Sequence, residues 1–305
     1  MTQLSKNGII EKSPARIDLI SGGDHTHYIN RMGWGACLNV TVNLYAFCKI
    51  TPNNSLVYNK HDGMLELLLQ HYKISNGKIE THQDYPRDSG IGGSASHATA
   101  IIKAFDRLQG IQRTLHESAL LAYDIERNKM GEDGGYQDQF ATSYRGFNYM
   151  VFRPEGTDVN RVQIQPDFLR RLQELSLLIH IPRKVTGDSI QKDMKIQSVS
   201  NLEIMKRKRD LAAQGRDALT NSDLDKIIEL VGKDYDLRKQ ESSLIDNEKT
   251  QEIEEIVKSN GGVCKFLGSG GGGCALVFTY DRNNMINSLK DKARILDFKY
   301  EVGKW

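Results

Sequence analysis

The 305-residue sequence is 39% hydrophobic and carries 41 Lys+Arg against 39 Asp+Glu. A chain of this length and apolar content buries a sizeable core in two domains or in one two-lobed domain. Charges so nearly balanced give no global field for nucleic acid, an anionic membrane or a bulky acidic partner, which leaves a small-molecule ligand as the class that fits.

The amino-terminal MTQLSKNGIIEKSP has neither a long apolar core nor a small-residue cleavage pattern, and no stretch approaches about 18 consecutive apolar residues. The expectation is a soluble, cytoplasmic protein with no membrane partner. Residues 15–20, ARIDLI, and residues 38–50, LNVTVNLYAFCKI, alternate apolar and polar side chains and are rich in β-branched residues, which predicts two strands. Between them SGGDHTHYINRMGWG is a polar loop bent by Gly22 and Gly23, and it carries Asp24, His25, His27 and Arg31. Residues 94–108 place Ala95, Ala98, Ile101, Ile102, Phe105 and Leu108 at helical spacing directly after the glycine-rich DSGIGG. A second helix is expected over residues 117–129, with Gly131 as its stop.

Residues 201–240 mix charged and apolar residues at helical period, and TNSD at 220–223 supplies a break and a new cap, so a helical hairpin is the simplest account. The run MKRKRD inside it reads as a solvated helix face. Further on, GGVCKFLGSGGGGCALVF sets a glycine run before an apolar, β-rich segment. Strands followed by helices in both halves predict an α+β protein, divided here into residues 1–160 and 161–305. Cys37, Cys48, Cys264 and Cys274 stand singly in apolar or glycine-rich surroundings without zinc-ligand spacing, as buried reduced thiols do.

Each glycine costs conformational entropy on folding, so three glycine-rich segments ask for a use of their backbone. In Asp88-Ser89-Gly90-Ile91-Gly92-Gly93-Ser94-Ala95-Ser96, positions without side chains let backbone N–H groups close around an anion at the positive end of the following helix. This is the pattern of a phosphate cradle, although a plain tight turn also has it. It lacks the Lys-Ser/Thr ending of a Walker loop and the spacing of a dinucleotide-binding turn.

The segments SPARIDLISGGDHTHY, GIGGSAS and KFLGSGGGGCALVF, in that order and spanning nearly the whole chain, resemble the three signature segments of the GHMP kinases. The resemblance implies a two-lobed fold, with a ribosomal-protein-S5-like first lobe, a second α/β lobe with ferredoxin-like features, and ligands in the cleft between. It implies ATP bound by Gly90, Ile91, Gly92, Gly93, Ser94, Ala95 and Ser96, together with Mg2+. A fourth segment, GEDGGYQDQFATSYRGF, resembles the family's region around its catalytic aspartate and matches it with Asp138. A sugar hydroxyl is a poor nucleophile, so a carboxylate that orients it and accepts its proton assists transfer. On its own residues Asp138 reads equally as a turn cap or as the partner of an arginine.

The same resemblance implies Ser94 and Glu126 as magnesium ligands, with Asp124 as the alternative carboxylate, and Arg16 as a cation at the reacting oxygens or in a structural ion pair. Asp24, His25 and His27, on the loop turned by Gly22 and Gly23, are candidates for sugar hydroxyls, and Gly270, Gly271 and Gly272 complete the substrate side. QDQFATSYRGFNYMVF and the closing glycine segment look most like the D-glycero-D-manno-heptose 7-phosphate kinases, which phosphorylate the anomeric oxygen on the way to nucleotide-activated heptose. A distal phosphate calls for cations, and Arg31, Arg183 and Lys184 are available. GGDHTHYINR partly resembles galactokinase, so a galactokinase- or fucokinase-like hexose 1-kinase stays open, as does a catalytically silent sugar and ATP sensor. A homodimer is one assembly the resemblance allows. The chain departs from the family where the central loop lacks its preceding proline, where Gly93 replaces the first serine of a pair, and where His27 stands at a position commonly aspartate.

Overall fold

The computed structural model describes residues 8–303. Strand β1 (Ile9–Gly22) runs antiparallel to β2 (Gly35–Thr51), and α1 (Thr26–Met32) fills part of the connection that reads as loop in the sequence. β2 is long enough to pair on its other side with two strands, β4 (Gly77–Gln83) along its second half and β5 (Phe147–Arg153) along its first. The short β3 (Leu56–Val57) joins β4 in parallel and β6 (Gly156–Arg161) closes the far edge, giving the order β3-β4-β2-β5-β6 with β1 on β2. β1 is longer than its alternation predicts, and its residues 13–22 are buried on both faces, where polar residues no longer mark an outside. Two register shifts interrupt it, between Pro14 and Ala15 and between Asp18 and Ile20. Arg16 and Asp18 lie between these bulges on one face of the strand, and bulges re-aim side chains in this way.

The helices of the first half are α2 (Gly63–Tyr72), α3 (Gly93–Gln109), α4 (Leu115–Tyr123) and α5 (Gln137–Tyr144). In α3, Ala98, Ile101, Ile102 and Phe105 are fully buried against the sheet, the last three contributing about 2 kcal/mol or more each by leaving water. A capping box between Thr114 and Glu117 starts α4, and its coil widens into a π-helical turn over Asp124–Lys129, where the sequence predicts a single α-helix. Such turns insert a residue into a helix and are frequent at functional sites.

The second sheet is antiparallel, in the order β10-β7-β9-β8, with β7 (Ser176–Ile181), β8 (Val263–Phe266), β9 (Gly273–Phe278) and β10 (Arg294–Leu296). Its helices are α6 (Pro166–Leu175), α7 (Gly187–Ile196), α8 (Leu202–Thr220), α9 (Leu224–Arg238), α10 (Glu248–Ser259) and α11 (Arg282–Leu289). α8 and α9 form the expected hairpin, and Asp223 caps the second helix. Within the run MKRKRD, however, Lys208 is wholly buried, because α8 packs against β1 and β2 and that position faces inward. The largest apolar cluster runs through both sheets, from Ile17 and Leu38 to Leu276 and Phe278. Residues 300–301 return to the first sheet: Tyr300 bridges Val42, and Glu301 accepts hydrogen bonds from Thr41, Tyr45 and Arg145. All four cysteines are buried, and among the described residues no helix is long and apolar enough to cross a membrane.

Candidate active site

A cleft of about 800 Å³ opens where β1, the loop before α3, the start of α5 and the glycine run after β8 meet. Its centre is built on β1. The Arg16 amide donates to the Ile91 carbonyl at 2.8 Å, and its Nη1 donates to the Gly90 carbonyl at 2.7 Å, so the strand fixes the loop at two points. Gly92 caps α3 in the left-handed region (φ 69°), and a Cβ there would stand 2.9 Å from the Arg16 Cγ. Glycine is needed at 92 for both reasons. The first intrahelical bond runs from the Ser96 amide to the Gly92 carbonyl, which leaves the amides of the first turn without an intrahelical acceptor at the positive end of the helix, with Gly93 and Ser94 on the cleft lining. Gly90, Gly92, Gly93 and Ser94 line the cleft; Ile91, Ala95 and Ser96 are buried behind it, Ser96 donating to the Ser13 carbonyl at 2.7 Å.

Arg16 also reaches Asp138. Its Nε donates to Asp138 Oδ1 at 2.8 Å and its Nη2 lies 2.7 Å from the same oxygen. The Arg16 side chain is 3% exposed and that of Asp138 is 23% exposed, so the carboxylate opens on the cleft while its cation is the wall behind it. Asp138 sits in the first turn of α5, where the helix dipole favours a negative charge. Burial works against the Arg16 charge, yet Asp138 and then Asp18 more than offset it, and the guanidinium stays protonated.

On the next loop Asp24 is buried and accepts from the Gln137 amide at 3.1 Å, and burial raises its pKa. Gly135 makes this fit, since a Cβ there would lie 1.9 Å from the Asp24 carboxylate. His25 lines the cleft as a neutral imidazole, its pKa pushed down to about 3 by burial and then by Arg127 and Arg238. His27 is not on the lining; it packs at 4.3 Å against the Tyr28 ring, and burial lowers its pKa to about 4. Arg31 points elsewhere and donates to Ser198 at 3.0 Å. Gly22 and Gly23 stand behind the cleft as well. A Cβ on Gly22 would strike the α8 backbone at Arg209, 2.1 Å away, so this glycine admits a helix.

Of the second half, Arg183 lines the cleft and Lys184 does not. Arg183 donates to the Leu267 and Gly272 carbonyls, each at 3.3 Å, and to Ser269 Oγ at 3.0 Å, and burial lowers its pKa to about 10. Gly270, Gly271 and Gly272 pack on Ile245, Ile190 and Arg183, leaving Gly268 and Ser269 as the cleft residues of that run. The structure also brings in residues that the sequence does not single out. Arg127 and Arg238 both face the cleft, Arg238 donating to the Gly268 carbonyl at 2.6 Å and held by Glu241 at 3.0 Å. Gln137 hangs beside Asp24. At the far end, His97 Nε2 lies 2.8 Å from Asp62, which caps α2 and accepts from Thr81. Arg127 directly follows Glu126 just ahead of the family-like segment, and that adjacency is a signal; Arg238 sits among ordinary helix charges and gives none.

Magnesium asks for few protein ligands, commonly one or two carboxylates beside phosphate oxygens and water. Ser94 presents an exposed hydroxyl at the start of α3. Glu126 lies in the π-helical turn, 3% exposed, accepting from Gln139 and 3.6 Å from Arg127, and it is not on the cleft lining. Asp124 is taken by Asn128 at 2.8 Å and lies 3.6 Å from Lys129. No group of three or more His, Cys, Asp or Glu side chains able to hold a metal occurs among the described residues. A hydroxyl and a carboxylate are the hard-oxygen donors that magnesium takes and are not a zinc set, but only Ser94 of the two lines the cleft.

Residues 56–146 match the GHMP kinases N terminal domain. The chain is 26% identical to a Campylobacter jejuni protein named D-glycero-alpha-D-manno-heptose 7-phosphate kinase, across 95% of each chain. It is 24% identical to an Arabidopsis thaliana bifunctional fucokinase/GDP-fucose pyrophosphorylase over 74% of this chain and 22% of that one. Among solved structures, a D-glycero-D-manno-heptose 1-phosphate kinase from Bacteroides thetaiotaomicron superposes with a TM-score of 0.77 over 95% of both chains at 22% identity, which is a likeness of fold.

Proposed function

We propose that this chain, a kinase of the GHMP family, transfers the γ-phosphoryl group of ATP to the anomeric hydroxyl of D-glycero-D-manno-heptose 7-phosphate. One observation carries the reading: the cleft-facing Asp138 is held by Arg16, and the same guanidinium holds the glycine loop at Gly90. A base and a phosphate cradle attached to one rigid group keep a fixed separation, as in-line transfer requires. The anomeric oxygen attacks the γ-phosphorus, the bond to the β-bridging oxygen breaks, ADP leaves, and the hydroxyl proton passes to Asp138. Loop amides and the dipole of α3 hold the phosphates. Asp24 and neutral His25 suit sugar hydroxyls, since an uncharged imidazole both donates and accepts. Ser94 would hold magnesium from the cleft wall, and the ion when bound offsets charge on the phosphate oxygens.

The distal phosphate is assigned to Arg183 and Arg238. Both guanidiniums grip residues 267–269 and both face the cleft, and Arg183 has no carboxylate in an ion pair among the described residues. The test is ADP release with magnesium-ATP over heptose 7-phosphate, mannose, galactose and fucose. Preference for heptose 7-phosphate supports the reading, and a clear preference for galactose or fucose replaces it with the hexose 1-kinase that GGDHTHY and the fucokinase relative suggest. Binding of ATP and sugar without ADP release would mean a sensor.

A further inference from the structure

Arg16 and Asp138 are the first members of a longer series of buried charges. Asp18 lies 3.8 Å from the Arg16 Nη1, too far for a hydrogen bond. Instead its Oδ1 accepts from the Gly268 amide at 2.9 Å and its Oδ2 lies 3.1 Å from Lys265 Nζ, both from the second sheet's side. Lys265 in turn lies 2.7 Å from Asp234 and donates to the Leu19 carbonyl at 3.0 Å. Asp234 is 3.7 Å from Lys208, Lys208 pairs with Glu241, and Glu241 holds Arg238 at the opposite wall of the cleft. Signs alternate without a break from Asp138 to Arg238, and every member between those two is 3% exposed or less.

One guanidinium thus has two carboxylates near it, Asp138 at 2.7 Å and Asp18 at 3.8 Å. In a water-poor interior a carboxylate without its own partner draws the nearest cation strongly. Lys265 is the partner that prevents this. Burial would raise the Asp18 pKa, and Lys265, then Arg16 and the Gly268 amide, more than offset it. Neither Asp18 nor Lys265 lines the cleft.

We propose that Lys265 is a positioning residue for phosphoryl transfer: by holding Asp18 from the second sheet, it leaves Arg16 turned onto Asp138 and the Gly90 carbonyl. This rests on the assignment of Asp138 as the base. In Lys265→Met, Asp18 keeps Arg16 as its nearest charged neighbour, and the guanidinium swings away from Asp138. Assayed well below each variant's Tm, with folding checked by circular dichroism, kcat is expected to fall on the order of 100-fold while the ATP KM stays within about two-fold. Adding Asp18→Asn removes the competing charge and is expected to bring kcat back to within about five-fold of wild type, although Tm remains low. A folded Lys265→Met with wild-type kcat, or a double variant that recovers nothing, overturns the proposal and leaves a structural ion pair. Should Lys265→Met not fold, Asp18→Asn alone decides: kcat within about two-fold of wild type agrees, and a loss of about ten-fold or more does not. The assays use whichever sugar the wild type turns over. A rate indifferent to Asp138→Asn marks failure of the parent reading, whereas an Asp138-dependent rate indifferent to Lys265 marks failure of this one.

Discussion

Residues 88–94 and residues 267–273 are both glycine-rich, and they touch, since a Cβ on Gly90 would meet the Leu267 carbonyl at 2.5 Å and one on Gly268 would meet the Gly90 carbonyl at 2.6 Å. They serve different ends. The first runs into a helix, whose opening amides lie ahead of the first intrahelical bond. The second runs into β9, whose amides are claimed by the sheet, and its glycines are packed by Ile245, Ile190 and Arg183. Glycine at 270–272 lets a loop lie close to Ile245, Ile190 and Arg183, and glycine at 90 and 92 likewise admits Leu267 and Arg16, but only the first run ends in a helix whose opening residues Gly93 and Ser94 line the cleft. The element into which a glycine run leads, helix or strand, separates the two cases better than the run itself.

That contrast can be broken by mutation. Asp138→Asn is expected to have the largest effect, lowering kcat about 1000-fold with the ATP KM nearly unchanged, as steady-state ADP release would measure. If nucleotide affinity collapses instead, the carboxylate belongs to the cradle and not to the acceptor. Gly92→Ala forces a side chain into positive φ and against Arg16, and is expected to raise the ATP KM and cut kcat/KM by about 100-fold. Gly271→Ala carries similar backbone strain (φ 71°) beside Ile190; it is expected to lower stability by about 1–3 kcal/mol in urea titration while leaving the ATP KM alone. A nucleotide defect at 271 as large as that at 92 would erase the distinction between the loops.

The smallest effect concerns the loop at residues 22–27. His25 and His27 have folded-state pKa values of about 3 and about 4, below the ordinary 6.5, so the unfolded chain binds more protons between those values. Their contribution is therefore complete above about pH 6.5 and is lost as pH falls toward about 4 for His27 and about 3 for His25. Thermal scans from pH 7 to pH 5 are expected to show a falling Tm, and His25→Gln should flatten that fall. An unchanged slope would mean that His25 is solvated.

Much of this is readable from residue patterns where one face of an element meets water. β2, α3 and the hairpin of α8 and α9 announce themselves by period, and the loop ahead of α3 by its glycines. Legibility fails where burial is two-sided. β1 extends to Ile9 and Gly22 beyond the alternating residues 15–20, and although Arg16 and Asp18 keep the strand period they lie inside, so the alternation does not mark an outside. Lys208 looks like any lysine of a basic run, yet its neighbours in space, Asp234 and Glu241, are far along the chain. Likewise Arg238 joins the cleft through the Gly268 carbonyl, a contact across 30 residues that no local pattern encodes.

The return of Glu301 to Thr41, Tyr45 and Arg145 has a temporal side. Thr41 and Glu301 are 260 residues apart, so a nascent polypeptide emerging from the ribosome carries the first sheet long before the residue that fastens it has been synthesised. The middle of β2 therefore gains these partners only after residues 300–301 have been made, which sets the completion of the first sheet late in the order of folding.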